Sequence, residues 1–206
     1  MYRTVCPTCG IAYDAVKAAD CNCLSPTRSV FCPHCGNCFC SAPREFNDRF
    51  WADAPRELWD RRRRRVLAAA GEPPESIDPT RQIVLFADDD PTGRRIAQEV
   101  IREMGYTVLV ARDGDELLER ARQVRPELVI TDALMPRRDG RDTARLIRDE
   151  MPGTRIVIIT SVYKDPRYKH EAFRDFGVDE YLTKPVAAAT LREVVQRLMP
   201  SRGATV

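Results

Sequence analysis

The amino-acid sequence predicts an α/β domain with a parallel β-sheet, preceded by a small cysteine-rich module. All eight cysteines of the 206-residue chain lie between Cys6 and Cys40. After Gln82, short β-branched apolar runs alternate with amphipathic helical stretches. Because such alternation favours parallel strands joined by crossover helices, we expect a sheet with helices on both faces.

The chain length allows one ordinary domain and one small one. We predict a cysteine-rich module at residues 1–45, a basic helix and linker at 46–80, the α/β domain at 81–200 and a tail at 201–206. The two prolines within residues 71–76 are typical of a linker.

A linking helix is predicted from Pro55 to Ala70. Asp53 is a candidate N-terminal cap, Pro55 suits the first turn, and Gly71 is a natural stop. This helix contains the run Arg61–Arg65, which concentrates positive charge on one short element.

The α/β domain is predicted to begin with strand Ile83–Ala87, a continuous apolar run typical of a strand buried on both faces. The helix Thr92–Met104 follows and ends at Gly105. The later strands are expected at Thr107–Ala111, Leu128–Thr131, Arg155–Thr160 and Glu180–Leu182, and the later helices at Asp115–Val124, Arg141–Glu150, Arg167–Phe176 and Ala188–Met199.

Composition indicates a soluble protein, with 43% hydrophobic and 31% charged residues. No stretch approaches the roughly 18 apolar residues that a membrane span needs. The segment Met1–Cys6 lacks the apolar run of a secretion signal, so we expect the chain to stay in the reducing cytoplasm.

Polar side chains fall at the ends of the predicted strands. Asp88 and Asp89 follow the first strand, and Asp132 follows the third. Thr160 ends the fourth strand, and Lys184 follows the fifth. Because ligands bind at the carboxyl ends of parallel strands, we expect these side chains to share one crevice.

Carboxylates in one crevice repel by about 4 kcal/mol per pair at roughly 4 Å and an effective dielectric constant of about 20, which favours a bound cation. Oxygen ligands favour Mg²⁺. We expect Mg²⁺ to bridge Asp89, Asp132 and an incoming phosphoryl group, with Lys184 on another phosphoryl oxygen. Asp132 then forms an acyl phosphate. Thr160 can reach that phosphate only if its loop moves inward, so we expect a switch.

These motifs resemble the receiver domain of two-component response regulators, over about residues 82–200. The resemblance rests on Phe86–Pro91, Asp132–Gly140, Thr160 and Thr183–Pro185. It implies a flavodoxin-like, doubly wound sheet of five parallel strands in the order 2-1-3-4-5. It also implies phosphorylation by a histidine kinase or a phosphotransfer protein.

The resemblance assigns roles in the crevice. It implies that Asp132 is the phosphoacceptor and that Asp88 and Asp89 are the acidic pair. Together with Asp132 and the backbone carbonyl of Leu134, this pair would bind Mg²⁺.

The resemblance also implies a switch made of Thr160 as the hydroxyl, Lys184 as the phosphate-binding lysine and Tyr181 as the rotating aromatic side chain. An aromatic residue at this position could also simply pack in the core. The segment Ser161–Lys169 departs from the family because it is about two residues longer than usual. The start of the helix after Thr160 therefore stays open.

Aspartyl-phosphate phosphatases also place a nucleophilic aspartate after a strand of a doubly wound sheet. They resemble an Asp-x-Asp pattern in which the second acid is the general acid and base. Here that position is Leu134, so the general acid is missing. We therefore expect a regulator and not an enzyme.

The cysteines form four closely spaced pairs, Cys6/Cys9, Cys21/Cys23, Cys32/Cys35 and Cys38/Cys40. In a reducing compartment this spacing indicates metal ligands rather than disulfides. Cys6, Cys9, Cys32 and Cys35 lie in two Cys-Pro-x-Cys-Gly knuckles and are the predicted ligands of a structural zinc, as in zinc ribbons. Iron in a rubredoxin-like site would fit the same ligands.

The other four cysteines, Cys21, Cys23, Cys38 and Cys40, could bind a second zinc in the interleaved arrangement of RING-like modules, or could be buried or loose thiols. His34 is expected at the surface of its knuckle and not as a ligand. About 40 residues cannot build a self-sufficient core, so zinc would supply the folding energy, on the order of 10–16 kcal/mol per ion.

The chain ends at Val206, soon after the last predicted helix, so we expect output through the N-terminal module or a separate partner. The module is either an adaptor for an unknown protein or a nucleic-acid binder acting through the zinc module and the arginine helix. A net charge of +2 disfavours nucleic acid. Glu57 and Asp60 precede Arg61 and Arg64 by four residues, which favours ion pairs within a solvated helix.

Overall fold

The computed structural model describes residues 1–21, 29–69, 71 and 81–199. The chain divides into two compact units, Met1–Pro79 and Thr80–Val206, and each is described by itself. Cys23, the predicted linker beyond Gly71 and the predicted tail lie outside the described residues.

The first unit begins with two antiparallel strands, β1 (Arg3–Val5) and β2 (Ala12–Asp14). The first Cys-Pro-x-Cys-Gly knuckle connects them. Gly10 donates its N–H to the carbonyl of Cys6 at 2.9 Å, and Gly36 donates to Cys32 at the same distance in the second knuckle. Both glycines have positive φ, 72° and 70°, a conformation that a side chain disfavours. The repeated sequence therefore builds the same turn twice.

Two helices and a short 3₁₀ turn pack on these knuckles. The turn spans Phe39–Ser41, and the helices are α1 (Arg44–Ala52) and α2 (Arg56–Ala69). Phe39, Phe50 and Leu58 are buried in one apolar core with Cys6 and Cys32. Helices and cysteines therefore share a single core within this unit.

The predicted N-terminal cap at Asp53 is wrong. Asp53 is the C-terminal cap of α1, where its N–H donates to the carbonyl of Arg49. Pro55 explains the break, because the residue before a proline avoids the helical conformation and proline itself has no N–H to donate. Helix α2 accordingly begins at Arg56.

The arginine run on α2 contacts the rest of the first unit. Arg62 is buried, and its guanidinium lies 4.3 Å from the centre of the Trp51 ring. Arg61 pairs with Asp20, whereas Asp60 pairs with Arg56 at 3.5 Å. A long-range partner therefore replaces the expected pairing of Arg61 with Glu57.

The second unit alternates strands and helices throughout. Its strands are β3 (Ile83–Ala87), β4 (Thr107–Ala111), β5 (Leu128–Asp132), β6 (Arg155–Thr160) and β7 (Glu180–Thr183). Its helices are α3 (Pro91–Glu103), α4 (Gly114–Val124), α5 (Gly140–Glu150), α6 (Pro166–Asp175) and α7 (Ala188–Leu198). All neighbouring strands are parallel, in the order β4-β3-β5-β6-β7.

This architecture confirms the predicted flavodoxin-like fold. Numbered within the unit, the strand order is 2-1-3-4-5, as the resemblance implies. The third strand runs one residue further than predicted, so that Asp132 is its last residue. Helix α6 begins at Pro166, capped by Asp165, whose carboxylate accepts the N–H of Arg167.

Alternate residues of β3 face opposite sides of the sheet. Val84 and Phe86 belong to a buried cluster with side chains of α3 and α7. Ile83 and Leu85 are fully buried as well, which requires cover on the other face. Both faces of the sheet are thus covered, leaving its carboxyl edge for polar groups.

No helix in the described part of the chain has both the length and the apolar character needed to cross a membrane.

A close backbone approach at the start of α5 gives a test of the fold. A Cβ atom added at Gly140 would overlap the carbonyl oxygen of Asp132, whereas one added at Gly153 would have no atom within 4 Å. We expect Gly140→Ala to lower the free energy of unfolding by about 1–3 kcal/mol or more. The control Gly153→Ala should stay within about 0.5 kcal/mol of the parent. Equal urea midpoints for both variants would contradict the packing around α5.

Candidate functional site

The predicted polar residues meet at the carboxyl edge of the sheet. Asp88 and Asp89 directly follow β3, Asp132 ends β5, Thr160 ends β6, and Lys184 directly follows β7. Strands β5, β3 and β6 are adjacent and parallel, and so their last residues end side by side. The sheet therefore explains why side chains so distant in sequence converge.

Three carboxylates form the centre of this edge. Asp88, Asp89 and Asp132 each offer one carboxylate oxygen, and these oxygens lie within 4.8 Å of one another. Asp88 and Asp132 are buried, and Asp89 is exposed. Such a set of hard oxygen donors, open on one side, fits a divalent cation that keeps part of its water shell.

Lys184 connects two of the three carboxylates. Its Nζ donates to Asp88 Oδ2 at 2.8 Å and also to the carboxylate of Asp132. Burial raises the pKa of Asp132, and the hydrogen bonds from Lys184 and from the N–H of Leu134 offset this only in part. Burial lowers the pKa of Lys184, but the two aspartates raise it further, so its pKa lies above the usual value. The lysine thus supplies the positive charge that the aspartates need.

Thr160 and Tyr181 both bind the loop that follows β6. The buried hydroxyl oxygen of Thr160 accepts the N–H groups of Val162 and Tyr163, each at 3.2 Å. The hydroxyl of Tyr181 donates to the carbonyl of Tyr163 at 2.7 Å. Tyr181 is itself buried, and its burial raises its pKa. The two side chains implied as switch residues are therefore linked through one loop residue.

Sequence reasoning missed a third side chain that contacts this loop, Arg141 of helix α5. Its guanidinium lies 4.2 Å from the centre of the Tyr163 ring, and its Nη2 donates to the Tyr163 hydroxyl at 3.2 Å. Arg141 also binds Asp139, the N-terminal cap of α5. No local pattern predicts a pair separated by 22 residues. The start of α6, in contrast, could have been predicted from the dipeptide Asp165-Pro166, a cap followed by a first-turn proline.

Two residues with apolar side chains bind Asp132 and Thr160 through their backbone N–H groups. Leu134 donates its N–H to Asp132 Oδ1 at 3.1 Å, and Val162 donates its N–H to Thr160. Both side chains are exposed, by 40% for Leu134 and 60% for Val162. Neither side chain can hydrogen-bond to water.

Comparison with known proteins assigns the second unit to a family. The response regulator receiver domain family matches residues 84–196, more than half of the chain. The chain belongs to this family.

Relatives of the receiver domain differ in total length. Response regulator MprA of Mycolicibacterium vanbaalenii is 34% identical over 125 residues, which cover 59% of this chain and 53% of that protein. Protein PilG of Pseudomonas aeruginosa is 32% identical over 120 residues, covering 57% of this chain and 87% of PilG. The chain thus spans about half the length of MprA.

A solved structure supports the same assignment for the receiver domain. The chemotaxis response regulator CheY4 of Vibrio cholerae superposes with a TM-score of 0.54 at 29% identity. The superposition covers 58% of this chain and all of CheY4. These relatives support the assignment of residues 84–196 to the receiver domain family, and receiver domains typically use Mg²⁺.

The unit that precedes the receiver domain contains two clusters of cysteine sulfurs. In the first, the sulfurs of Cys6, Cys9, Cys32 and Cys35 lie within 4.8 Å of one another. The Cys6–Cys35 and Cys9–Cys32 sulfur distances are both 3.7 Å. A tetrahedral zinc with Zn–S bonds of about 2.3 Å requires sulfurs about 3.8 Å apart. The first cluster therefore has the dimensions of a tetrathiolate zinc site.

Hydrogen bonds stabilise the thiolate form of one cysteine of the first cluster, Cys6. Burial raises the pKa of Cys6, but N–H groups of Cys9 and Thr8 lower it more, to about 6. At Cys9 the N–H of Ile11 lowers the pKa, and burial and the neighbouring cysteines raise it to about 12. The thiols cannot all ionise together without a cation, since each thiolate opposes the next.

The second cluster consists of Cys21, Cys38 and Cys40. The sulfurs of Cys21 and Cys40 are 3.2 Å apart, and the N–H of Ser29 donates to the Cys21 sulfur at 3.2 Å. The predicted fourth member, Cys23, lies outside the described residues. His34 is exposed and belongs to neither cluster among the described residues.

Proposed function

We propose that this response regulator is phosphorylated on Asp132 by a histidine kinase or a phosphotransfer protein, with Mg²⁺, and that phosphorylation switches its binding to another protein. The observation that carries the proposal is the bridge from Lys184 to both Asp88 and Asp132 within a cluster of three carboxylates. This arrangement combines a nucleophile, a cation site and a phosphate-binding ammonium group in one crevice.

In the proposed reaction, a carboxylate oxygen of Asp132 attacks the phosphorus of a phosphorylated donor, and the bond from phosphorus to the donor breaks. Asp88, Asp89, Asp132 and the backbone carbonyl of Leu134 would hold Mg²⁺. Bound there, Mg²⁺ would offset the charge on the phosphoryl oxygens. Lys184 would exchange part of its contact with Asp132 for one phosphoryl oxygen.

The acyl phosphate would act on the loop after β6. It adds about −1.5 to −2 charges and three acceptor oxygens. The Thr160 hydroxyl can donate to one of these oxygens if the loop moves toward Asp132. Tyr163 moves with the loop, and so the hydroxyl of Tyr181 loses its present acceptor and is free to turn. Rotation of Tyr181 would carry the signal to the surface.

Loss of the nucleophile tests this proposal. We expect Asp132→Asn to abolish labelling by a small phosphodonor, because an amide cannot form the acyl phosphate, and we expect a chelator of Mg²⁺ to stop labelling of the parent protein. Asp142→Asn, at an exposed position on α5, removes the same charge and should label normally. Undiminished labelling of Asp132→Asn would contradict the assignment of the phosphoacceptor.

The acyl phosphate should also be long-lived. Its hydrolysis needs a water placed in line with the phosphorus and oriented by polar groups. The side chains of Leu134 and Val162 follow the phosphoacceptor and the switch hydroxyl by two residues, and both are apolar. They crowd the approach of water without offering a hydrogen bond.

We therefore expect the double substitution Leu134→Asn and Val162→Glu to speed loss of the phosphoryl group about 10- to 100-fold. The decay is followed in Mg²⁺ after the donor is removed from labelled protein. Phe173→Asn, at another exposed apolar position, should leave the rate unchanged. A parent phosphoryl group lost within seconds, or a double variant no faster than the parent, would show that these side chains do not set the lifetime.

We propose that the first unit is a zinc module that binds an unknown protein partner. Cys6, Cys9, Cys32 and Cys35 would hold one structural zinc, and Cys21, Cys23, Cys38 and Cys40 a second in the interleaved arrangement. The equal 3.7 Å sulfur distances in the first cluster support this proposal. Cysteines stay reduced, and so able to bind metal, in a reducing environment. We therefore place the protein in the cytoplasm.

Elemental analysis of the purified protein should find zinc, at one or two ions per chain. The variant Cys9→Ser should contain one ion fewer, because three thiolates bind zinc more weakly than four. His34→Ala lies in a matching knuckle and should keep the full content. Iron in place of zinc would overturn the choice of metal. A metal-free protein whose cysteine module stays folded would refute both sites.

A further inference from the structure

The arginine run on α2 makes contacts that the proposed function does not use. Arg61 donates through Nη1 to the carbonyl of Val16 and through Nη2 to the carbonyl of Ala18, both at 2.8 Å. The same guanidinium binds the carboxylate of Asp20. One side chain therefore holds three acceptors within a five-residue stretch of the chain.

Arg65 extends this contact to the next residue. It donates to the carbonyl of Cys21, and its Nη1 lies 3.8 Å from the carboxylate of Asp20. Arg61 and Arg65 are one helical turn apart and so share a face of α2. Their side chains are only 28% and 23% exposed. Together they fix the backbone that leads into Cys21.

The backbone at Cys21 determines the geometry of the second cysteine cluster. Cys21 is fully buried and donates its N–H to the carbonyl of Ser29 at 2.9 Å. The antiparallel β-bridge between Asp20 and Val30 connects the backbone next to Cys21 to the segment that continues to Cys38. A displacement of this backbone would change the distance between the sulfurs of Cys21 and Cys40, which is 3.2 Å.

We propose that Arg61 and Arg65 are positioning residues of a second metal site, which contains Cys21, Cys38 and Cys40 and takes a thiolate-binding divalent cation such as Zn²⁺. This proposal rests on the proposed zinc module. Three or four thiolates around a divalent cation leave an excess negative charge, and two guanidinium groups beside the ligand backbone offset it. Arg61 and Arg65 thereby act within the metal module.

The guanidinium fork matters as well as the charge. Arginine presents several N–H donors in one plane and can bind two carbonyls and a carboxylate together, whereas lysine is a point charge. Groups that orient metal ligands typically contribute 10- to 100-fold in metal affinity. Arg64 provides a matched control, because it lies on the same helix, carries the same charge and is exposed.

The test uses the full chain and four variants: Arg61→Ala with Arg65→Ala, Arg65→Ala alone, Arg61→Lys with Arg65→Lys, and Arg64→Ala. Metal content is measured by elemental analysis, affinity by competition with a chromogenic zinc chelator, and ligand geometry by the thiolate-to-metal absorption of Co²⁺-loaded protein. Cys9→Ser and Cys21→Ser assign the two sites. Labelling of Asp132 by a phosphodonor checks that the receiver domain is intact.

We expect two metal ions in the parent and in Arg64→Ala. The double alanine variant should bind one of them about 10- to 100-fold more weakly, with the site assigned by Cys21→Ser affected and the site assigned by Cys9→Ser unchanged. Arg65→Ala should show a smaller loss of metal affinity. The double lysine variant should recover little of the affinity that the double alanine variant loses.

Four results would overturn the inference. A parent with one ion, lost in Cys9→Ser, would remove the second site and leave the proposed zinc module standing. Equal metal affinities in the double alanine variant and Arg64→Ala would show that Arg61 and Arg65 do not position a ligand. Full recovery of the affinity in the double lysine variant would show that charge alone acts. A parent without metal would contradict the proposed module itself.

Discussion

The mutual repulsion of Asp88, Asp89 and Asp132 is the constraint around which the receiver domain is arranged. Their oxygens lie within 4.8 Å of one another, and two of the side chains are buried. At such distances each pair of charges costs about 4 kcal/mol at an effective dielectric constant of 20. Lys184 offsets this cost from the end of the last strand. The pocket therefore forms only when β3, β5 and β7 are all in place.

The same balance of charge bears on the loop after β6, which the proposed switch would move. In the structure Thr160 and Tyr181 hold it through neutral hydrogen bonds, and Arg141 holds it through a cation–π contact and a hydrogen bond to the Tyr163 hydroxyl. Each such contact contributes on the order of 1 kcal/mol. Charge-assisted hydrogen bonds to a phosphoryl group are about twice as strong as neutral ones. A covalent phosphate on Asp132 would thus compete with these contacts on equal terms.

Much of the fold could be predicted because its signals are local. Continuous apolar runs mark the strands of the second unit, and their alternation with helices requires parallel strands. Helix α1 was missed, although Phe46 and Phe50 form an apolar pair at helical spacing and its neighbour Trp51 is also buried. Nine residues are too few for a strong periodic signal.

The arginine run shows why the remainder could not be predicted. Glu57 and Arg61 have the spacing and order of a helical ion pair, so local sequence offers a sufficient partner. In the structure Arg61 instead binds Asp20, 41 residues earlier, together with two backbone carbonyls. An exposed ion pair within a helix contributes only about 0.3–0.5 kcal/mol. A partly buried guanidinium that binds three acceptors contributes more, and no local pattern reveals those acceptors. Tertiary structure therefore decides the partner of a charged side chain wherever its local alternatives are this weak.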